Sequence, residues 1–208
     1  MMPANSLQGL IYHDEYLLVV NKPAGLLAVP GRGEDKQDCL SKRVQQHFPD
    51  ALIVHRLDMA TSGLIVFARG IAMQRRLSEM FSVRLVTKRY LAVVAGILES
   101  ESGEVNLPVG ADWPNRPRQK VDLAEGKPSL TRYRVQSHDT DSTRVELEPV
   151  TGRTHQLRVH MNAIGHPIIG DTLYDGRSAD RLMLHACKLT LPHPHHNTPL
   201  NFDCPAAF

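Results

Sequence analysis

Cysteine is scarce in this sequence: Cys39, Cys187 and Cys204 are spread over 208 residues. The number is odd and no C-x-x-C pair occurs, so neither a disulfide framework nor a structural zinc site is expected, and the thiols read as reduced cytosolic ones. Long apolar runs are missing too. No stretch approaches the roughly 18 apolar residues of a membrane span, and the N-terminal "MMPANSLQGLIYHDEYLL" lacks the basic-then-apolar order of a secretory leader. These absences predict a cytoplasmic chain with no membrane partner. Charge of one sign is nearly absent as well, since 24 Lys and Arg against 22 Asp and Glu leave a formal net charge of +2. A nucleic-acid surface would have to be concentrated on one face. Neither G-x-x-x-x-G-K-[ST] nor G-x-G-x-x-G is present, so nucleotide cofactors are not suggested.

What is present is a soluble, globular pattern with 42% hydrophobic and 22% charged residues. "YLLVV", "ALIV", "SGLIVFA" and "KRYLAVVAG" read as strands, and "LTRYRVQS" with "STRVELEPV" reads as a hairpin by its alternation. "IAMQRRLSEMF" predicts a helix with Met73, Leu77, Met80 and Phe81 on one side. A second helix is expected in "DCLSKRVQQHF", capped by Asp38. A third is expected after "TGRTHQ", capped by Thr151 or Thr154, with Leu157, Met161 and Ile164 at helical spacing and Gly165 as its stop. "GADWPNRPRQKVDLAEGKPS", with three prolines, reads as one long loop, and "LMLHACKLTL" is an apolar element of undecided type. Strands outnumber helices and look antiparallel. The fold class expected is α+β, with a large mixed, mainly antiparallel sheet flanked by helices and loops.

Four constellations carry chemistry. In "HRLDMATSG" a polar, sharply turning insert separates two apolar strands. Asp58 lies two residues after Arg56, and a carboxylate beside an arginine favours its ionised form. Such a group can act as nucleophile, base or cation stabiliser, or can simply form the turn. In "GRTHQLRVHM", Arg153, His155, Arg158 and His160 crowd a helix start, which suits an anion such as phosphate. His155 and His160 are five residues apart with no Glu between them, a mismatch for a helical metal pair, so no metal is expected. "PHPHHN" near the C-terminus reads as a solvated loop. In "TKRYLAVV", Lys88 and Arg89 precede Tyr90; an aromatic flanked by cations can stack a base, or can be a half-buried strand tyrosine. Lys22, Arg32, Arg116, Arg118 and Lys120 in "NKPAG", "PGRG" and "WPNRPRQK" can form a phosphate-binding footprint or remain solvated loop charge.

Taken together, "NKPAG", "HRLDMATSG", "KRYLAVVAG" and "GRTHQLRVHM", in this order and spacing, resemble the RluA-type pseudouridine synthases from about Tyr16 onward. The "DWPNRP" stretch and the roughly 20 residues ahead of "NKPAG", too few for an S4-like RNA-binding domain, point to the short members of that family. The resemblance implies a single catalytic domain over residues 1–208 with an active-site cleft across its sheet, needing no cofactor and no metal. It implies isomerisation of uridine to pseudouridine in RNA, with targets in 23S ribosomal RNA and in a tRNA anticodon stem-loop, by a protein that is a monomer. It assigns Asp58 as the catalytic aspartate, acting as nucleophile or as base. Tyr90 becomes the tyrosine packing on the target base, and Arg158 the basic residue paired with the aspartate. Arg56 is expected to fill the space left by a flipped base. His55, Lys22, Arg32, Lys88, Arg116, Arg118, Lys120, Arg153 and His155 complete the expected RNA contacts. The reacting bond lies in stacked RNA, so the uridine must leave the stack, at least cost from a loop. Three rivals are a synthase with a single RNA substrate, a catalytically silent RNA-binding protein of the same fold, and a glycoside hydrolase. The last needs two carboxylates, and only Asp58 has a persuasive context.

Overall fold

A computed structural model describes residues 7–208. Met1–Ser6, where the leader reading begins, lie outside the described residues. Among the described residues the elements in chain order are β1 (Leu10–His13), β2 (Leu17–Lys22), α1 (Leu40–Gln45), β3 (Ala51–Ile53), β4 (Ser62–Arg69), α2 (Gly70–Ser82), β5 (Thr87–Ala95), β6 (Ser102–Asn106), β7 (Val109–Ala111), β8 (Gln119–Val121), β9 (Leu130–His138), β10 (Ser142–Pro149), α3 (Gln156–Ala163), β11 (Leu184–Pro192) and β12 (Pro199–Asp203), with two short 3-10 turns. The architecture is α+β: strands dominate, helices are few, and the ladders β1–β2, β2–β4, β3–β4, β5–β10, β9–β10, β6–β9, β7–β8 and β11–β12 run antiparallel. No described helix is long and apolar enough to cross a membrane.

The chain divides into two compact units, one made of residues up to Thr87 with Ala186–Pro205, the other of Lys88–His185 with Ala206–Phe208. In the first, the strand order is β1-β2-β4-β11, with β3 also on β4 and β12 on β11. The runs Leu17–Val20 of β2 and Leu64–Ala68 of β4 are apolar without a break because both faces of the strands are covered. Leu17, Val19, Leu64, Val66 and Ala68 point to one side, with Leu77 and Met80 of α2 and with Leu189, Leu191 and Phe202. Leu18, Val20, Ile65 and Phe67 point to the other, with Leu40 and Val44 of α1 and Ala51. Each such side chain contributes about 1.5–3 kcal/mol by leaving water, which makes this strand pair the anchor for the loops at its ends. Asp38 does not cap α1. Cys39 holds that position without a side-chain bond, and Asp38 instead receives the guanidinium of Arg43; an ion pair with a full positive charge draws the carboxylate away from the helix N–H groups.

In the second unit the order is β5-β10-β9-β6. The alternation read in β10 is real: Val145 and Leu147 are buried, while Glu146 and Glu148 lie on the opposite face with Arg89 and Arg134. The expected long loop 110–129 is in part a small two-stranded sheet, with β7 and β8 paired Val109↔Val121 to Ala111↔Gln119. Strands of three residues carry too little alternation to be seen in a sequence. They form because Val109 and Val121 pack on Val159 of α3 and on Tyr174 and Leu173. Neither Thr151 nor Thr154 caps α3. His155 does, in the left-handed region at φ 54° and without a side-chain bond, while the Thr151 hydroxyl donates to Gln156 Oε1 at 2.7 Å.

The "PHPHHN" segment is not simply solvated. His193 is buried at 3% exposure; its Nε2 meets Asp14 Oδ2 at 2.9 Å, and its Nδ1 accepts the N–H groups of His195 and His196. His195 stacks on Tyr16 with ring centres 4.3 Å apart. Among the described residues no group of three or more His, Cys, Asp or Glu is arranged to hold a metal ion.

Candidate active site

Asp58 is half-buried on the loop that leads into β4, in the first unit. The structure brings this loop together with the distant "NKPAG" turn. The Met59 carbonyl accepts the Gly25 N–H at 2.9 Å and the Lys22 ammonium at 3.0 Å. Lys22 also donates to the carbonyls of Pro23 at 2.8 Å and Leu26 at 2.7 Å. The Thr61 N–H closes the turn on the Asp58 carbonyl at 3.1 Å. Strand register explains the meeting, because Lys22 lies opposite Gly63 across β2 and β4. Gly63 is required there: its φ is +116°, and a Cβ would sit 2.3 Å from the Ala186 carbonyl oxygen.

Two residues expected to contact RNA are bonded within the protein. Lys22 is 0% exposed, and its ammonium fastens the turn beside Asp58. A buried ammonium needs all three of its protons satisfied, and three carbonyls do so. His55 Nε2 accepts the Val66 N–H at 2.9 Å, and its ring stacks on Phe81 with centres 4.5 Å apart, so it props the start of the loop against β4 and α2. By contrast Arg56 and Met59 are exposed on either side of Asp58, and Arg32 is exposed in its own loop.

The other expected residues lie in the second unit. Tyr90 is half-buried on β5, opposite Leu147 of β10. Lys88, two residues before it, is half-buried, and burial pushes its ammonium pKa down. Arg153 is exposed, and its Nε points to the Pro128 carbonyl at 3.4 Å. Its own N–H is held by Gln156 Oε1 at 3.0 Å, and Gln156 Nε2 donates to the Leu130 carbonyl and the Thr131 hydroxyl, which locks the "GRTHQ" turn onto β9. Lys120 is exposed and 3.5 Å from Asp122. Arg116 is exposed and lies over the Trp113 ring, 3.7 Å from its centre.

Arg158 is buried at 4% exposure and held by Asp171, with Nε to Oδ2 and Nη2 to Oδ1 both at 2.7 Å. This is the bidentate geometry that fixes a guanidinium plane as well as its place. Asp171 also accepts the Leu173 N–H at 3.0 Å. The Tyr174 ring lies 5.0 Å from the Arg158 guanidinium carbon and 5.5 Å from that of Arg118. The Tyr174 hydroxyl accepts the Gln119 N–H at 2.7 Å and is hydrogen-bonded to His155 Nδ1, also at 2.7 Å. Arg118, read in one constellation, and His155 and Arg158, read in another, thus meet around one buried tyrosine. Asp171 and Tyr174 are the residues that sequence reasoning missed. The signal was "GDTLYDG", an acid and an aromatic within turn residues, which reads locally as a turn and nothing more.

Comparison with known proteins agrees with these motifs. The family profile described as RNA pseudouridylate synthase matches residues 16–163. The dual-specificity RNA pseudouridine synthase RluA of Yersinia pestis is 51% identical over 204 residues, covering 96% of this chain and 99% of that protein. Its namesake from Escherichia coli strain K12 is 50% identical, covering 96% and 93%. Among solved structures, human RNA pseudouridylate synthase domain containing 1 superposes with a TM-score of 0.81 at 31% identity, over 100% of this chain and 87% of that one. Human RNA pseudouridylate synthase domain containing 4 gives 0.78 at 26% identity, over 95% and 88%. The profile spans Lys22, Asp58, Tyr90 and Arg158 alike, and with about half of the 204 aligned residues identical to the two RluA proteins the chain belongs to the RNA pseudouridylate synthase family and is an RNA pseudouridine synthase.

Proposed function

We propose that Asp58 is the catalytic centre of this synthase, with Tyr90 and Arg158 as the other two catalytic residues, and that it acts on loop uridines in both 23S ribosomal RNA and a tRNA anticodon stem-loop. The observation that carries this reading is the turn at Asp58. Its carboxylate stands on a backbone clamped at the next carbonyl by Gly25 and Lys22, between the exposed side chains of Arg56 and Met59. A charged group held on a rigid turn reacts without first being ordered, which is how positioning lowers a barrier.

The reaction balances within the substrate. The bond from ribose carbon 1 to base nitrogen 1 breaks and one from ribose carbon 1 to base carbon 5 forms. Carbon 5 loses its proton, and nitrogen 1 takes one up. Asp58 serves as nucleophile toward the ribose or as base on it. Tyr90 packs on the base and assists removal of the carbon 5 proton, Arg158 holds the carboxylate charge, and Arg56 enters the stack that the uridine leaves. Of the surface cations, Arg32, Lys88, Arg116, Arg118, Lys120 and Arg153 remain as RNA contacts. Cytoplasmic location and a monomeric state go with this reading. The dual substrate is supported by the two relatives at about half identity, whose names carry dual specificity.

Release of tritium from uridine labelled at carbon 5 tests the assignment, with ribosomal and transfer RNA transcripts assayed separately. The wild type is expected to release tritium from both. Asp58→Asn is expected to bind both and release none. Release from one RNA only replaces dual specificity by a single substrate, and an active Asp58→Asn protein removes Asp58 from the centre.

A further inference from the structure

Trp113 is the only tryptophan of the chain, and it lies on the surface rather than in the core. It begins the 3-10 turn Trp113–Asn115 at the tip of the β7–β8 hairpin and is 66% exposed. Its neighbours Pro114, Asn115, Arg116 and Pro117 are exposed too. The tip is nonetheless well built. The Asp112 N–H donates to the Arg118 carbonyl at 3.1 Å, the Arg118 N–H to the Asn115 carbonyl at 3.0 Å, and the Asn115 amide to Asp112 Oδ2 at 3.0 Å. At its base the hairpin is fastened by the Gln119 N–H on the Tyr174 hydroxyl and by Val109 and Val121 packed with Val159.

The Arg116 guanidinium lies over the indole, 3.7 Å from the ring centre. That contact orients both planes and covers one indole face with a cation. The chemistry that completes such a pair is a flat, electron-rich ring on the opposite face, flanked by anions. Between residues 112 and 122 the hairpin carries Arg116, Arg118 and Lys120 against Asp112 and Asp122, so the ligand that fits is an aromatic ring with negative charge beside it.

We propose that Trp113, backed by Arg116, is a stacking subsite for one unpaired base of the RNA substrate. The subsite rests on the reading of the substrate as RNA with an open loop. Because every base has a stacking face, it selects for an unstacked base rather than for a sequence. Arg116 thereby acts on RNA chiefly by holding the indole, while Arg118 and Lys120 meet phosphate.

A sole tryptophan makes the test direct, since indole fluorescence reports Trp113 alone. The Asp58→Asn protein, bound without turnover, is titrated with a tRNA anticodon stem-loop and with a fully paired RNA duplex of equal length. The stem-loop is expected to quench the indole, with a midpoint equal to the Kd from filter retention; the duplex is expected to bind without comparable quenching. In the otherwise wild-type enzyme, Trp113→Leu is expected to weaken binding and raise KM about tenfold, the scale of one base–aromatic stack, with kcat within about twofold. Trp113→Phe, which keeps a stacking face, is expected to recover most of that loss. Binding with unchanged fluorescence, equal quenching by the duplex, or a Trp113→Leu protein that binds like wild type would each overturn the subsite. None of these outcomes touches the assignment of Asp58, which fails only by the tritium assay.

Discussion

The Asp171 carboxylate fixes the plane of the Arg158 guanidinium. Asp171 takes Nε and Nη2 of the guanidinium, and the pair is almost fully buried, with side-chain exposures of 5% and 0%. Replacing both members of a buried pair by apolar groups can be neutral, whereas removing one leaves a buried charge uncompensated and costs about 3–5 kcal/mol. Asp171→Asn is therefore expected to lower stability by that order and to reduce the single-turnover rate at least about tenfold, with RNA affinity changed much less. Urea melts, a single-turnover tritium assay and filter binding measure the three quantities. An Asp171→Asn protein with wild-type turnover would show that the orientation of Arg158 is set elsewhere. Residue types were legible throughout, for Asp58 and Arg158 as for Lys22, because a motif is a list of types. Partners were not. Nothing near Lys22 in the chain says that its ammonium will find the Met59 carbonyl 37 positions away.

At the scale of elements, two glycines separate a conformational requirement from a packing one. Gly25 sits at φ +82° with nothing within 4 Å of an added Cβ, while Gly63 combines φ +116° with an overlap of 2.3 Å on the Ala186 oxygen. Gly25→Ala is expected to cost about 1–2 kcal/mol, the strain of a left-handed alanine. Gly63→Ala should cost about 3 kcal/mol or more, because strain adds to a clash with backbone that cannot rotate away. Denaturant midpoints of the two variants, compared at equal m-values, measure the difference; equal midpoints would remove the packing argument. Several of the longer elements were legible because each repeats its period enough times: β2 and β4 by unbroken apolar runs, α2 by its apolar stripe, β9 and β10 by alternation; β11 was legible only as an apolar element of undecided type. The β7–β8 hairpin and the start of α3 were not, since three-residue strands and a cap without a side-chain bond leave no local pattern.

Over the whole molecule, the first unit is assembled from both ends of the chain, and Asp14 is where they are tied. Burial pushes its carboxyl pKa up, but hydrogen bonds from the Tyr12 hydroxyl, the Leu17 and Tyr16 N–H groups and the His193 ring outweigh it and hold the value at about 2, below the ordinary 3.8. The Tyr12 hydroxyl is pushed up to about 12, first by its hydrogen bond to Asp14 and further by burial. The native carboxyl binds a proton less readily than the unfolded one. Its contribution is thus complete above about pH 4 and is lost as pH falls through about 2, on the order of 2 kcal/mol. Urea unfolding of the wild type and of Asp14→Asn, followed from neutral to about pH 2, is expected to show the wild type losing about 2 kcal/mol more across that window. Parallel pH profiles would mean that the tie contributes nothing.

The amino-acid sequence by itself determined the family, the α+β class, and most of the longer strands and helices. These depend on residue type, spacing and local period, and all three are written along the chain. The tertiary structure alone decided that Lys22 and His55 are internal supports, that Asp171 and Tyr174 stand behind Arg158, and that His193 is a buried ligand of Asp14. Each of these is a choice of partner more than ten residues away in the chain. Such choices follow from strand register and from the need of every buried polar group to find a bond once packing has excluded water, a condition that exists only in the folded molecule.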